Sequence, residues 1–291
     1  MSQPYLRQAF KQLGVPTHWH FPSVNSTNTQ AANIAAGMTA NQFPLLVTCD
    51  QQTAGRGRGT NQWWQGQGGL AFSIVTQKID TQTPTMLNSR TPAIVASLPS
   101  RDSQDHEPLQ QGAIAPQWYS IWTSICLHRT AKHFLPNTKC HLKWPNDLLI
   151  HDRKNAGILI EPVPNFPQRY TVGIGVNVNN QIHTADDSVV QLGYSWSETG
   201  QTFPLDSVIE QFLKYWLAMS FQTPDQQSSL LNEFRANDWL EGKNIRLNQA
   251  GQQLEGKYLG VSAQGFLKLK FEDGTTHTFA TCDNIRPIAL A

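Results

Sequence analysis

Residues 52–60 read QTAGRGRGT, three glycines and two arginines in nine positions, directly after the apolar run LLVTC at 45–49. A glycine-rich turn at the end of a strand can aim several backbone N–H groups at one point and so receive an anion. Gly55, Gly57 and Gly59 allow close approach of a ligand to the backbone, and Arg56 and Arg58 add forked donors that match carboxylate or phosphate. The stretch is not a Walker loop, because no Gly-Lys-Ser/Thr ends it and a strand is expected next. Residues 143–149 read KWPNDLL. Pro145 and Asn146 predict a rigid turn that holds Lys143, beside Trp144, in one orientation. Two apolar runs, KNAGILIE at 154–161 and VGIGVNVN at 172–179, carry Gly157, Gly173 and Gly175 in strand interiors. Glycine there weakens a strand unless something must approach it closely, so a flat, apolar ligand slot is expected. Asn177 brings a paired donor and acceptor suited to an adenine edge.

These residues must be positioned by a mixed framework. Helical periodicity is expected over 4–14, through Leu6, Phe10 and Leu13, and again from Ser26, Thr27 and Asn28 to Ala36, where Gly37 stops it. Strands are expected at 45–49 and 68–76. Residues 80–116 hold five prolines and a polar run and predict an inserted loop. A helix is expected over 117–135, short strands at 141–144, 148–150, 157–161 and 170–178, and helices near 205–221 and 225–239. Beyond Gly242 the texture becomes short alternating segments with glycine turns, which predicts a small antiparallel barrel. The expected division is 1–240 and 241–291, an α+β body with a small C-terminal barrel.

Composition narrows the function. The chain has 291 residues, 39% of them hydrophobic and 15% charged, with a formal net charge of +1. That balance argues against a surface built to coat nucleic acid or an anionic membrane. The four cysteines, Cys49, Cys126, Cys140 and Cys282, form no CxxC pair and read as reduced thiols. No apolar run approaches the ~18 residues of a membrane span, and the N-terminal residues lack a signal-peptide pattern. A soluble, cytoplasmic protein is expected.

Taken in order, STN at 26–28, QTAGRGRG with Trp63 after it, KWPNDLL, KNAGILIE and VGIGVNVN resemble the biotin protein ligases, from about Ser23 to Val178. The resemblance implies a class II synthetase-like catalytic domain followed by an SH3-like barrel. It implies a C–N bond-forming ligase that uses ATP and Mg²⁺ to convert biotin to biotinyl-5′-AMP, then transfers biotin to a lysine of a biotin carboxyl carrier domain, of acetyl-CoA carboxylase or a related carboxylase. By position it assigns Ser26, Thr27 and Gln52 to the ureido end of biotin, with Asn28 nearby. Gly55, Arg56, Gly57 and Arg58 cover the carboxylate and phosphates, and Lys143 bridges the biotin carboxylate and α-phosphate. Trp63, Asn146 and Asn177 belong to the ATP side, and Gly157 and Gly175 leave room for the bicyclic ring. No protein nucleophile is needed, so the catalytic set is Lys143, Arg56 and Arg58. The Mg²⁺ ligands stay open, with Asp147 a candidate. Gly59, Thr60 and Asn61 stand where many bacterial members carry further arginines. The rival within the same fold is a lipoate or octanoate ligase or transferase, which lacks the GRGR and KWPND pair. Only 25 residues precede Ser26, so DNA binding is not expected, and a homodimer is left open.

Overall fold

The computed structural model describes residues 3–77, 116–182, 193–219 and 223–288. The insertion expected at 80–116 falls outside them except for Pro116, which is the first residue of a helix. Proline suits that place, because the first-turn N–H has no intrahelical partner.

After α1 (Gln3–Gln12), β1 (Thr17–Val24), α2 (Thr27–Ala36) and β2 (Leu45–Gln52) form a parallel β-α-β unit. β3 (Leu70–Gln77) turns back against β2, and α3 (Pro116–Phe134) follows in the described chain. Next come β4 (Cys140–Lys143), β5 (Asp147–Ile150), β6 (Arg153–Val163) and β7 (Phe166–Val176). They complete a seven-stranded sheet in the order β1-β2-β3-β7-β6-β5-β4, antiparallel except for the β1–β2 pair. Strand β1 was not expected. Its sequence THWHFPSV is polar at alternate positions and holds Pro22, tolerable because β1 is an edge strand.

Alternation along β2 and β3 divides the side chains between two cores. Leu46, Phe72 and Ile74 join a large cluster with α3, α4 (Leu205–Ala218) and α5 (Pro224–Ala236). Leu45, Val47 and Val75 pack on Ala31, Ala35 and Met38 around α2. The sheet is thus the middle of three layers, with α2 alone on one side.

The C-terminal alternation forms β8 (Asn244–Gln249), β9 (Gln252–Val261), β10 (Leu267–Lys270), β11 (Thr276–Phe279) and β12 (Asp283–Pro287). They make one antiparallel sheet in the order β11-β10-β9-β8-β12. Ala250 and Gly251, at φ 49° and 83°, close the β8–β9 hairpin with two left-handed residues, the geometry that matches strand twist. Its apolar face is continuous with the main core through Ile245, Tyr258, Leu267 and Trp144. Polar ties reinforce the join: Trp144 Nε1 donates to Gly265 O at 2.9 Å, and an Arg235 guanidinium nitrogen donates to Val261 O at 2.7 Å. All four cysteines are buried free thiols. Among the described residues, no helix is long and apolar enough to cross a membrane.

Candidate active site

A cavity of about 940 Å³ opens on the α2 side of the sheet. Strand register explains its floor. Ala71, Gly175 and Gly157 form one row across β3, β7 and β6, and Ser73, Gly173 and Leu159 form the next. Three glycines therefore leave bare backbone on one face. Of the residues predicted from sequence, Ser26, Thr27, Asn28, Gln52, Arg56, Gly57, Arg58, Trp63, Lys143, Asn146, Gly157 and Gly175 line this one cavity.

The N-terminus of α2 supplies a polar end. Ser26 is the N-cap yet makes no side-chain capping bond. The Thr27 amide and hydroxyl donate to Gln52 Oε1 at 2.7 and 3.1 Å. Ser73 Oγ lies 2.8 Å from Thr27 Oγ1 and donates to Asn28 Oδ1 at 2.7 Å. Asn28 Nδ2 donates to Glu161 Oε2 at 2.7 Å. Ser73 and Glu161 were not expected in the site. Glu161 was legible, since a period of two from Gly157 puts it on the glycine face.

The glycine loop is a closed hairpin rather than an open nest. Arg56 bridges Gln62, Gly57 N donates to Asn61 O at 2.8 Å, and Trp63 N donates to Gly55 O at 2.9 Å. Only Gly59 uses a left-handed conformation, at φ 60°. Gly55 is required for closeness: a Cβ there would sit 2.3 Å from the Trp63 carbonyl oxygen. Gly55 therefore shapes the loop and does not line the cavity. Both arginines have carboxylate partners. Arg56 Nη2 is 2.9 Å from Glu161 Oε2, and Arg58 Nη2 reaches Asp283 Oδ1 at 3.7 Å and Cys282 O at 3.3 Å. The second pair brings β12 into the site, where residues 282–287 form a wall. Nothing in the C-terminal alternation pointed to that role.

Lys143 ends β4 at the cavity, with its ammonium 5.7 Å from the centre of the Trp239 ring. Burial pulls its pKa below the usual lysine value; Lys154, Arg286 and Lys243 act the same way and Asp147 opposes them. An incoming anion would favour the charged form again. Asp147 is itself held by Lys154 at 2.6 Å. No group of three or more His, Cys, Asp or Glu side chains converges among the described residues. That donor set does not support a resident Mg²⁺ site; an ion arriving on triphosphate oxygens needs no such cage.

The slot over the glycines is filled by protein. The Trp63 indole lies on Gly175, where a Cβ would meet it at 2.2 Å, and on Gly157, where the distance would be 3.3 Å. The expected vacancy for a bicyclic ring is thus covered by an aromatic ring that belongs to the loop. Asn146 Nδ2 donates to Ile158 O at 2.6 Å, which locks the Pro-Asn turn. Asn177 does not line the cavity: its Oδ1 accepts from Asn180 Nδ2 at 3.0 Å and its backbone joins Asn155. The side chain expected at an adenine edge is thus buried and engaged with Asn180 outside the cavity, one residue past the end of β7 at Val176.

A buried polar end, two paired arginines and a half-buried lysine around one cavity define a site for joining an acyl group to phosphate. Residues 20–179 match the model of the biotin/lipoate A/B protein ligase family, and the chain belongs to that family. It is 26% identical over 285 residues to the bifunctional ligase/repressor BirA of Bacillus spizizenii, covering 94% of this chain and 76% of that protein. It is 28% identical over 157 residues to the biotin–[acetyl-CoA-carboxylase] ligase of Paracoccus denitrificans, covering 53% of this chain and 51% of that one. The fold is similar to that of a biotin protein ligase from Aquifex aeolicus in complex with biotin and ATP, at a TM-score of 0.67 and 18% identity, over 94% of this chain and 99% of the other.

Proposed function

We infer that this chain activates biotin with ATP as biotinyl-5′-AMP and transfers it to a lysine of a biotin carboxyl carrier domain. The observation that carries the reading is the convergence of the Thr27–Gln52 pair, the arginine hairpin and half-buried Lys143 on one cavity. In the first step a biotin carboxylate oxygen bonds to the α-phosphorus and pyrophosphate leaves. In the second, the acceptor amine bonds to the acyl carbon, AMP leaves and the amine proton is lost. Negative charge develops on oxygens in both steps, so donors fixed in advance lower both barriers. Thr27 and Gln52, with Ser26, hold the ureido end. Lys143 meets the carboxylate and α-phosphate, and Arg56 and Arg58, each oriented by its carboxylate partner, turn their remaining donors to the acyl phosphate. Trp63, on leaving the glycine slot to the bicyclic ring, and Asn146 serve the nucleotide side. The polar end of the cavity disfavours a lipoyl or octanoyl chain, which offers nothing to pair with those groups.

The acceptor we favour is the carrier domain of acetyl-CoA carboxylase, with residues 1–240 as the catalytic unit and 241–291 as the barrel that completes the cavity wall. The near-neutral charge favours action without DNA, and a reducing cytoplasm suits four free buried thiols. Biotin-dependent exchange of pyrophosphate into ATP tests the reading; exchange driven by lipoate and not by biotin refutes it.

A further inference from the structure

We propose that Glu161 is a positioning residue that locks the clamp arginine to the polar end of the biotin site, so that the two ends of the ligand are gripped together. The proposal rests on the biotin-ligase reading. One carboxylate oxygen, Glu161 Oε2, accepts from Arg56 Nη2 at 2.9 Å and from Asn28 Nδ2 at 2.7 Å. Arg56 is on the glycine hairpin, Asn28 on the first turn of α2 and Glu161 near the end of β6, so the oxygen joins three separate elements.

Asn28 has little freedom to respond. Its carboxamide lies on the bare backbone of Gly173, where a Cβ would be 2.2 Å from Oδ1, and Ser73 holds that oxygen from the other side. Its amino group is therefore directed at Glu161. From there the contacts run on through Ser73 to Thr27 and Gln52. Arg56 is the movable member, with its side chain 49% exposed. An exposed ion pair alone would contribute little. Here the carboxylate is already oriented by buried Asn28, so pairing fixes the guanidinium over the cavity rather than leaving it in solvent. A guanidinium carries five N–H donors in a rigid fork, so one contact to Glu161 is compatible with gripping a second anion.

The test is biotin affinity by calorimetry, together with KM for ATP in pyrophosphate exchange, on wild type and three variants. Glu161→Gln keeps an acceptor for Asn28 but removes the charge that orients Arg56, and should weaken biotin binding roughly three- to tenfold. Glu161→Ala breaks both contacts and should weaken it by roughly ten- to a hundredfold. KM for ATP should rise in both by no more than it does in Arg56→Ala, because Glu161 reaches the phosphates only through Arg56, a limit that general damage to the fold would exceed. Adding Glu161→Gln to Arg56→Ala should cost no more than about twofold beyond Arg56→Ala alone, because the two share one interaction. If Glu161→Ala fails to fold, the Glu161→Gln and Arg56→Ala cycle decides. Wild-type biotin affinity in the Glu161 variants, or full additivity with Arg56→Ala, overturns the coupling while a wild-type protein that exchanges pyrophosphate keeps the ligase reading intact. A wild-type protein that neither binds biotin nor exchanges overturns that reading and the coupling with it.

Discussion

Asp238→Asn should remove a pH dependence that ties the C-terminal sheet to the catalytic body. Asp238 is 8% exposed, accepts from Tyr258 Oη of β9 at 2.5 Å and from the Leu240 amide at 3.0 Å. Its neighbour Trp239 donates its amide to Leu142 O at 2.7 Å, next to Lys143. Burial pushes the Asp238 carboxyl up from 3.8 to about 6, against the hydrogen bonds from Tyr258 and Leu240, which lower it. A raised carboxyl pKa means that the folded protein binds the proton more tightly than the unfolded chain. Its stabilising contribution is therefore complete below about pH 4 and is lost as pH rises through about 6. At about 1.36 kcal/mol per tenfold in proton affinity, that is about 3 kcal/mol. For a protein of this size it moves the melting midpoint by roughly 5 °C. The assay is the midpoint of wild type and Asp238→Asn from pH 4 to 8, plotted as a difference so that all other titrations cancel. The difference should fall from about pH 4 through about 6 and level off by about pH 7. A difference that is flat throughout, or that grows as pH rises, would falsify the argument.

Lys143→Ala should slow adenylation and transfer by roughly 10²–10³ each, and Lys143→Arg should not restore them, because a planar fork does not fit a point-charge site; single-turnover formation of biotinyl-AMP decides. Because burial lowers the Lys143 pKa in the unliganded protein, the alkaline limb of kcat/KM, which reports the free enzyme, should lie below the 10.5 of an ordinary lysine, as a pH–rate profile will show. Arg58→Ala should release adenylate faster than it loses biotin affinity, and Asp283→Ala should do so in the same sense but less, read by adenylate dissociation and labelling of a bystander protein. Gly175→Val should displace the Trp63 indole, on which a Cβ would close to 2.2 Å, and change its fluorescence response to ligand; an unchanged response would show that Trp63 does not rest there.

Composition, local motifs and alternation determined a good deal. QTAGRGRG and KWPND are short because their chemistry is local: a tight glycine hairpin and a rigid turn need only neighbours to take shape. Helix α2, its Ser-Thr-Asn start and the C-terminal hairpins were legible for the same reason. Strand β1 was not, because an edge strand with a proline and two histidines carries little of the periodic signal that burial on both faces imposes. The partners of the functional side chains lay beyond reach altogether. Glu161 sits 105 positions from Arg56, and Cys282 224 positions from Arg58. Sequence periodicity can turn a residue toward a face, but which residue waits across that face depends on strand order. The order β3-β7-β6 set Gly173 and Gly175 beneath Asn28 and Trp63. Packing of the C-terminal sheet on Trp144 then carried β12 to the cavity wall, through an apolar contact that has no short-range signature.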